Sequence, residues 1–303
     1  MIKKNLFLVL VLLTYFSKAQ VGQINIEHRT EIEILATEGQ KIINAVLSQD
    51  RKVANGLFKS TLISLIELDD SILLDLRKVS NLMQVVNADT SLRVLTWTIL
   101  DATNTYNYHG IIQRINKYGK YSWAELIDQS ANIENPEKQE LTASNWYGCL
   151  YYDLITVNNS LKDIHTLVGW DGNNSMTSKK VVENLYFGVD DTARFGTPII
   201  REAKNEYLYR KIFEFSADLK MTLDIQKDIK RIIYDHLSPS NPSLRGVYEY
   251  YGPDLTFDSY EWGGQFWDHY SDIDSDQNLE KSKKDFEVKD RDTIRSKNLF
   301  IPN

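Results

Sequence analysis

The chain has 303 residues, of which 35 are Lys or Arg and 42 are Asp or Glu, giving a formal charge of -7 with five His and one Cys. At 42% hydrophobic and 11% aromatic residues it is too apolar for wholesale disorder, and no run of about 20 apolar residues offers a spanning helix. Acidity without a clustered Lys/Arg stripe argues against nucleic acid as a partner, and a single Cys excludes an intramolecular disulfide.

In chain order, Lys3 and Lys4, an apolar stretch at 6–13 and the small-x-small site Ser17-Lys18-Ala19 predict a secretory signal peptide over residues 1–19. A lipid anchor needs Cys directly after the cleavage site, and the chain has Gln20 there. The processed protein is therefore expected in the periplasm or outside the cell, free of lipid. It loses Lys3, Lys4 and Lys18, so its charge falls to -10.

Residues 20–80 read as a helical part. Ile32, Leu35, Ile42, Val46 and Leu47, and then Val53, Leu57, Phe58, Leu62, Leu65 and Ile66, recur at spacings near three and four on either side of Ser48-Gln49-Asp50. This pattern predicts two helices, broken at that polar triplet, with the stripe used for packing.

From residue 81 to 270 the period is two, the signature of strands. Residues 83–86 and 92–100 form one expected hairpin, and 111–115 with 121–127 a second through Lys117-Tyr118-Gly119-Lys120. Further strands are expected at 146–157, 163–170, 186–189, 194–200, 207–215, 221–225 and 231–236. A short helix is expected at 175–185, after the turn Asp171-Gly172-Asn173-Asn174. Gly263-Gly264, between Glu261-Trp262 and Gln265-Phe266-Trp267, signals a last two-residue hairpin turn. Residues 271–303 hold eight acids, seven bases and two aromatics and read as a polar tail. The expected fold class is α+β: N-terminal helices packed on a large, mainly antiparallel β-sheet or β-sandwich, all one globular unit.

Signatures of chemistry are sparse. The chain has no Gly-x-Ser-x-Gly, His-Glu-x-x-His, phosphate-binding glycine loop or Cys-x-x-Cys, and its histidines, at 28, 109, 165, 236 and 269, are scattered. No catalytic residue and no cofactor is implied. Cys149, among Trp146, Tyr147, Tyr151 and Tyr152, reads as a buried structural thiol. Asp272, Asp274 and Asp276 alternate as calcium-loop ligands do, although Gln277 and Lys283 stand where that loop needs Gly and Glu. They are the candidate metal ligands, with a solvated acidic loop as the plainer reading.

Between residues 247 and 270, nine of 24 residues are aromatic, interleaved with Glu249, Asp254, Asp258, Glu261 and Asp268. Cross-strand aromatic packing is the ordinary reading of such a segment. The alternative is a sugar-stacking surface, with Tyr248, Tyr251, Tyr260, Trp262 and Trp267 as candidate ligand contacts. The function expected first is thus a non-catalytic ligand- or partner-binding or cell-envelope protein, with a glycan or an envelope component as partner. The alternative is an envelope hydrolase working through carboxylates of this segment.

The strings Leu92-Arg93-Val94-Leu95-Thr96-Trp97, Leu167-Val168-Gly169-Trp170-Asp171-Gly172-Asn173, Thr177-Ser178-Lys179-Lys180 and Phe195-Gly196-Thr197-Pro198, with the Trp262 and Trp267 hairpin, resemble a group of uncharacterised exported proteins of Bacteroidota-type bacteria. The resemblance covers residues 80–275 and implies a secreted or periplasmic β-rich protein. It assigns no functional residue.

Overall fold

A computed structural model describes residues 25–68, 70–103 and 105–273. The segment 1–19, Asp274, Asp276 and the tail beyond residue 273 lie outside the described residues. The chain divides into two compact units, residues 1–82 and 83–303.

In the first unit, α1 (Arg29–Asn44) and α2 (Ser48–Ile66) form a helical hairpin. Leu35 and Ile42 of α1 and Ala54, Phe58, Leu62, Leu65 and Ile66 of α2 are buried, as helical spacing requires. The break falls at Ala45-Val46-Leu47, one step before the expected triplet. Ser48, Gln49 and Asp50 instead make the first turn of α2, where an acidic residue meets the positive end of the helix dipole. Arg51 Nη1 donates back to the carbonyls of Ala45 (2.7 Å) and Val46 (3.1 Å). Four members of the expected packing stripe, Val46, Leu47, Val53 and Leu57, are exposed.

The second unit is mostly antiparallel β-sheet. Its first sheet has the order β1-β2-β3-β4, from β1 (Met83–Val86), β2 (Leu92–Leu100), β3 (Tyr106–Ile115) and β4 (Tyr121–Ile127). Both hairpins expected here are present. Gly119, at φ +74°, donates its N–H to the Asn116 carbonyl, a conformation that favours glycine.

The second sheet takes β5 (Leu141–Thr142), β6 (Leu150–Asn158), β7 (Asp163–Asp171), β8 (Thr177–Phe187) and β9 (Ala193–Phe195) in the order β5-β9-β8-β7-β6. After β10 (Ile200–Ala203) and β11 (Glu206–Leu208), β12 (Arg210–Ser216) pairs with β8. The helix expected at 175–185 is therefore strand β8. Its pairing with β7, β9 and β12 overrides local polarity, and Val181 and Val182 suit the pleat.

The third sheet adds β13 (Leu223–Gln226), β14 (Arg231–Pro239), β15 (Tyr251–Trp262) and β16 (Trp267–Tyr270) in the order β11-β10-β16-β15-β14-β13. The strands β10 and β16 run parallel. The final turn is shifted by one residue from expectation: Gly263 donates to the Phe266 carbonyl, and Gly264 holds φ +90°, so Gly264-Gln265 occupies the tip.

Two apolar clusters form the core of this unit. One joins Val85, Val94 and Ile112 of the first sheet to Leu154, Leu167, Val181 and Leu185 of the second. The other joins Ile155, Val157, Val168 and Val182 of the second sheet to Ile200, Ile232, Tyr260 and Trp267 of the third. Neighbouring residues such as Leu154 and Ile155, or Val181 and Val182, serve opposite clusters, as the two-residue period of a strand dictates. The buried ion pair Arg210–Glu183 (2.7 Å) is completed by guanidinium donation to the carbonyls of Pro136, Gln139 and Phe195, so its charge is not left unpaired in the core.

Candidate functional site

The aromatic residues singled out between 248 and 267 are not gathered on one surface. Tyr260 and Trp267 are completely buried. Tyr260 stacks 5.3 Å from Tyr234 and donates its hydroxyl to Glu202, while Trp267 Nε1 donates to Thr166 Oγ1 at 3.0 Å. Tyr248 and Tyr251 lie together at the start of β15, with ring centroids 5.1 Å apart. Trp262 closes the other end of that strand, up to roughly 36 Å away at about 3.3 Å per residue. Of the five, Tyr248 alone is exposed; Tyr251 and Trp262 are half-buried against the second apolar cluster.

The carboxylates of the same segment divide as well. Glu261 accepts from Arg231 Nε (2.8 Å) and Nη2 (2.6 Å), and Asp268 pairs with Arg201. Asp254 and Asp258 instead flank one imidazole. His236 Nδ1 lies 2.8 Å from Asp258 Oδ2, His236 Nε2 lies 3.9 Å from Asp254 Oδ2, and His269 Nε2 approaches Asp258 Oδ2 to 3.6 Å. A bulge makes this possible: three residues, Asp254-Leu255-Thr256, stand between the partners of Asp235 and Leu237, and such bulges re-aim side chains. The hydrogen bond to Asp258 raises the His236 pKa. The imidazole thus occupies the space between the two carboxylates, where a hydrolase holds the sugar or water.

Asp272 is exposed, and its N–H donates to Asp258 Oδ1 at 3.1 Å. Among the described residues, no group of three or more His, Cys, Asp or Glu side chains is arranged to hold a metal ion. Cys149 is free and fully buried, and burial pushes its thiol well above the usual range, opposite to what a nucleophilic thiol needs.

A feature the sequence motifs did not mark is a cleft of about 540 Å³ beside β4, the outermost strand of the first sheet. Its apolar lining comes from Ile112, Trp123, Ile127 and Phe187, and its polar lining from Ser122, Glu125, Thr142, Ser144, Thr192 and Arg194. Trp123 is half-buried on β4. One wall is held rigid by Arg114, whose guanidinium lies 3.8 Å over the Phe187 ring and pairs with Asp191, while Asn116 Nδ2 donates to the same carboxylate at 3.0 Å. Arg194 is steadied by Asp190 at 3.2 Å and Glu140 at 3.7 Å. The end of β4 is fastened by Ile127, which donates to the Ala143 carbonyl (2.8 Å) and accepts from the Trp146 N–H (3.0 Å). In the register of β3 and β4, Ile112 stands opposite Ala124 and Arg114 opposite Ser122, so these side chains share one face of the sheet and Trp123 and Glu125 stand on the other. The apolar groups, hydroxyls and guanidinium along the cleft can bind a polar ligand by contact and hydrogen bonding.

Comparison with protein-family models, with curated proteins and with solved structures gives no match.

Proposed function

We propose that this chain is an exported protein of the cell envelope, periplasmic or secreted, that binds a glycan without transforming it, and that the cleft beside β4 is where it does so. The observation that carries this reading is the placement of Ser122, Thr142, Ser144, Thr192 and Arg194 with Ile112 and Phe187 around one cleft of about 540 Å³. Sugar rings offer an apolar face and hydroxyls that donate and accept, and the aliphatic and aromatic groups of Ile112 and Phe187 beside hydroxyls and a guanidinium are suited to both. The export reading rests on Lys3, Lys4, the apolar stretch and Ser17-Lys18-Ala19. The fold reading that accompanies it is a layered stack, with β6, β7 and β8 as the middle layer between two apolar clusters.

The test is a glycan array probed with the wild type and with Arg194→Ala, followed by calorimetry on each glycan retained. Loss of the charged donor is expected to weaken binding about tenfold or more. Equal binding by both proteins would move the site elsewhere.

A further inference from the structure

The helical hairpin of the first unit has an apolar tip that its own packing leaves unused. Connections between helices ordinarily carry polar residues, because they face water. Here the link is Ala45-Val46-Leu47, with Val46 90% and Leu47 63% exposed. The pattern continues along α2, where Val53 and Leu57, one turn apart, are 65% and 48% exposed. At 100° per residue these two share an outer flank, and Lys52 and Lys59 share the next one round.

Charge is distributed to match. Residues 45–60 contain Arg51, Lys52 and Lys59 against Asp50 alone, a local excess of base in a chain whose total is -7. Exposed aliphatic side chains ringed by cations have the chemistry of a surface that meets an anionic bilayer. Aliphatic groups enter the boundary between headgroups and acyl chains, and Lys and Arg stay among the phosphates. The bonds from Arg51 to the Ala45 and Val46 carbonyls hold the tip in a defined shape, which lowers the ordering needed on contact. A protein partner fits less well. Protein hot spots are built from Trp, Tyr and Arg seated in packed pockets, and residues 45–60 contain neither Trp nor Tyr.

We infer that Val46, Leu47, Val53 and Leu57 seat this protein on an anionic lipid surface by shallow insertion, with Lys52 and Lys59 against the headgroups. No described helix is long and apolar enough to cross a membrane, so this contact is one of lying on the bilayer rather than spanning it.

The experiment is co-sedimentation of the protein as recovered from cells with vesicles of phosphatidylcholine alone, or of phosphatidylcholine with phosphatidylglycerol, at low and at high salt. Sedimentation is expected with the anionic vesicles at low salt, and release as salt rises. The double variant Val46→Ser/Leu47→Ser is expected to lose about tenfold or more in partitioning, and Lys52→Gln about fivefold. These side chains are exposed, so both variants should keep the wild-type urea midpoint. Absence of binding to anionic vesicles at low salt would overturn the inference, as would equal binding by wild type and the double variant. A dimer that the double variant converts to monomer, with no lipid bound by either protein, would assign the tip to a second copy and overturn it too.

Discussion

At the scale of single residues, two histidines give the protein opposed responses to pH. His165, on β7, is 8% exposed, with Nδ1 2.9 Å from Thr156 Oγ1 and its ring against Phe187. Burial pushes its imidazole down to about 4. The unfolded chain takes up a proton at that position near pH 6.5 while the fold refuses it. Stability is therefore complete above about 6.5 and declines as the pH falls towards 4, by about 3 kcal/mol. His236 has the opposite sign. Its hydrogen bond with Asp258 raises its pKa, so its contribution is present below about 6.5 and is lost as pH rises through the raised value. That contribution is small, because the side chain is 45% exposed and water screens the pair. Urea unfolding of wild type and His165→Phe between pH 4 and pH 8 checks the larger effect: the stability of the wild type relative to the variant should rise by about 3 kcal/mol as the pH is raised from 4 to 6.5 and stay level above it. A constant difference would refute it.

At the scale of elements, two helical glycines make opposite demands. A Cβ added to Gly39 of α1 would lie 2.1 Å from the Ser80 carbonyl oxygen, whereas Gly56 of α2 has nothing within 4 Å. Alanine is the better helix former at both sites, by about 1 kcal/mol. Gly56→Ala is thus expected to raise stability by about 0.5–1 kcal/mol. Gly39→Ala is expected to lower it by about 2 kcal/mol, since the clash is with backbone and exceeds the gain in propensity. Urea unfolding of both variants decides the matter; similar shifts of the same sign would show that α1 and the Ser80 loop are not in such close approach.

The same local-against-distant contrast explains which elements were legible in the sequence. The turns at 87–91 and 116–120 are written in local chemistry, where Asn, Asp, Gly and Ser close the backbone onto itself. β8 was not legible, because its Lys, Glu and Asn residues become a strand only through neighbours on both edges. The aromatic density of residues 247–270 marked Tyr260 and Trp262 alike, but did not show that Tyr260 would be buried and Trp262 only partly so. The cleft was illegible for a simpler reason: its lining runs from Ile112 to Arg194 and contains no motif.

At the scale of the whole molecule, the third sheet depends on its four-residue strand β16. β16 lies between β10 and β15, pairing Ile200 with Trp267 on one side and Trp262 with Trp267 on the other. Trp267 also fills the second apolar cluster and donates to Thr166 of β7. A chain stopped after Trp262 keeps five of the strands of that sheet but has no link between β10 and β15. It is expected to lose its cooperative unfolding transition and to bind a hydrophobic dye. A truncated protein that melts as the wild type does would remove β16 from this role.

The position of β16 also fixes the timing of folding. Strands that pair across long stretches of chain must wait for one another, and here the piece that joins the two halves of a sheet is the last of the described strands in chain order. Until residue 270 has been made, β10 and β11 have no partner in the strands β13 to β15. This part of the core thus closes only once the strand that joins its two halves has been made, and until then its apolar faces stand open to other chains.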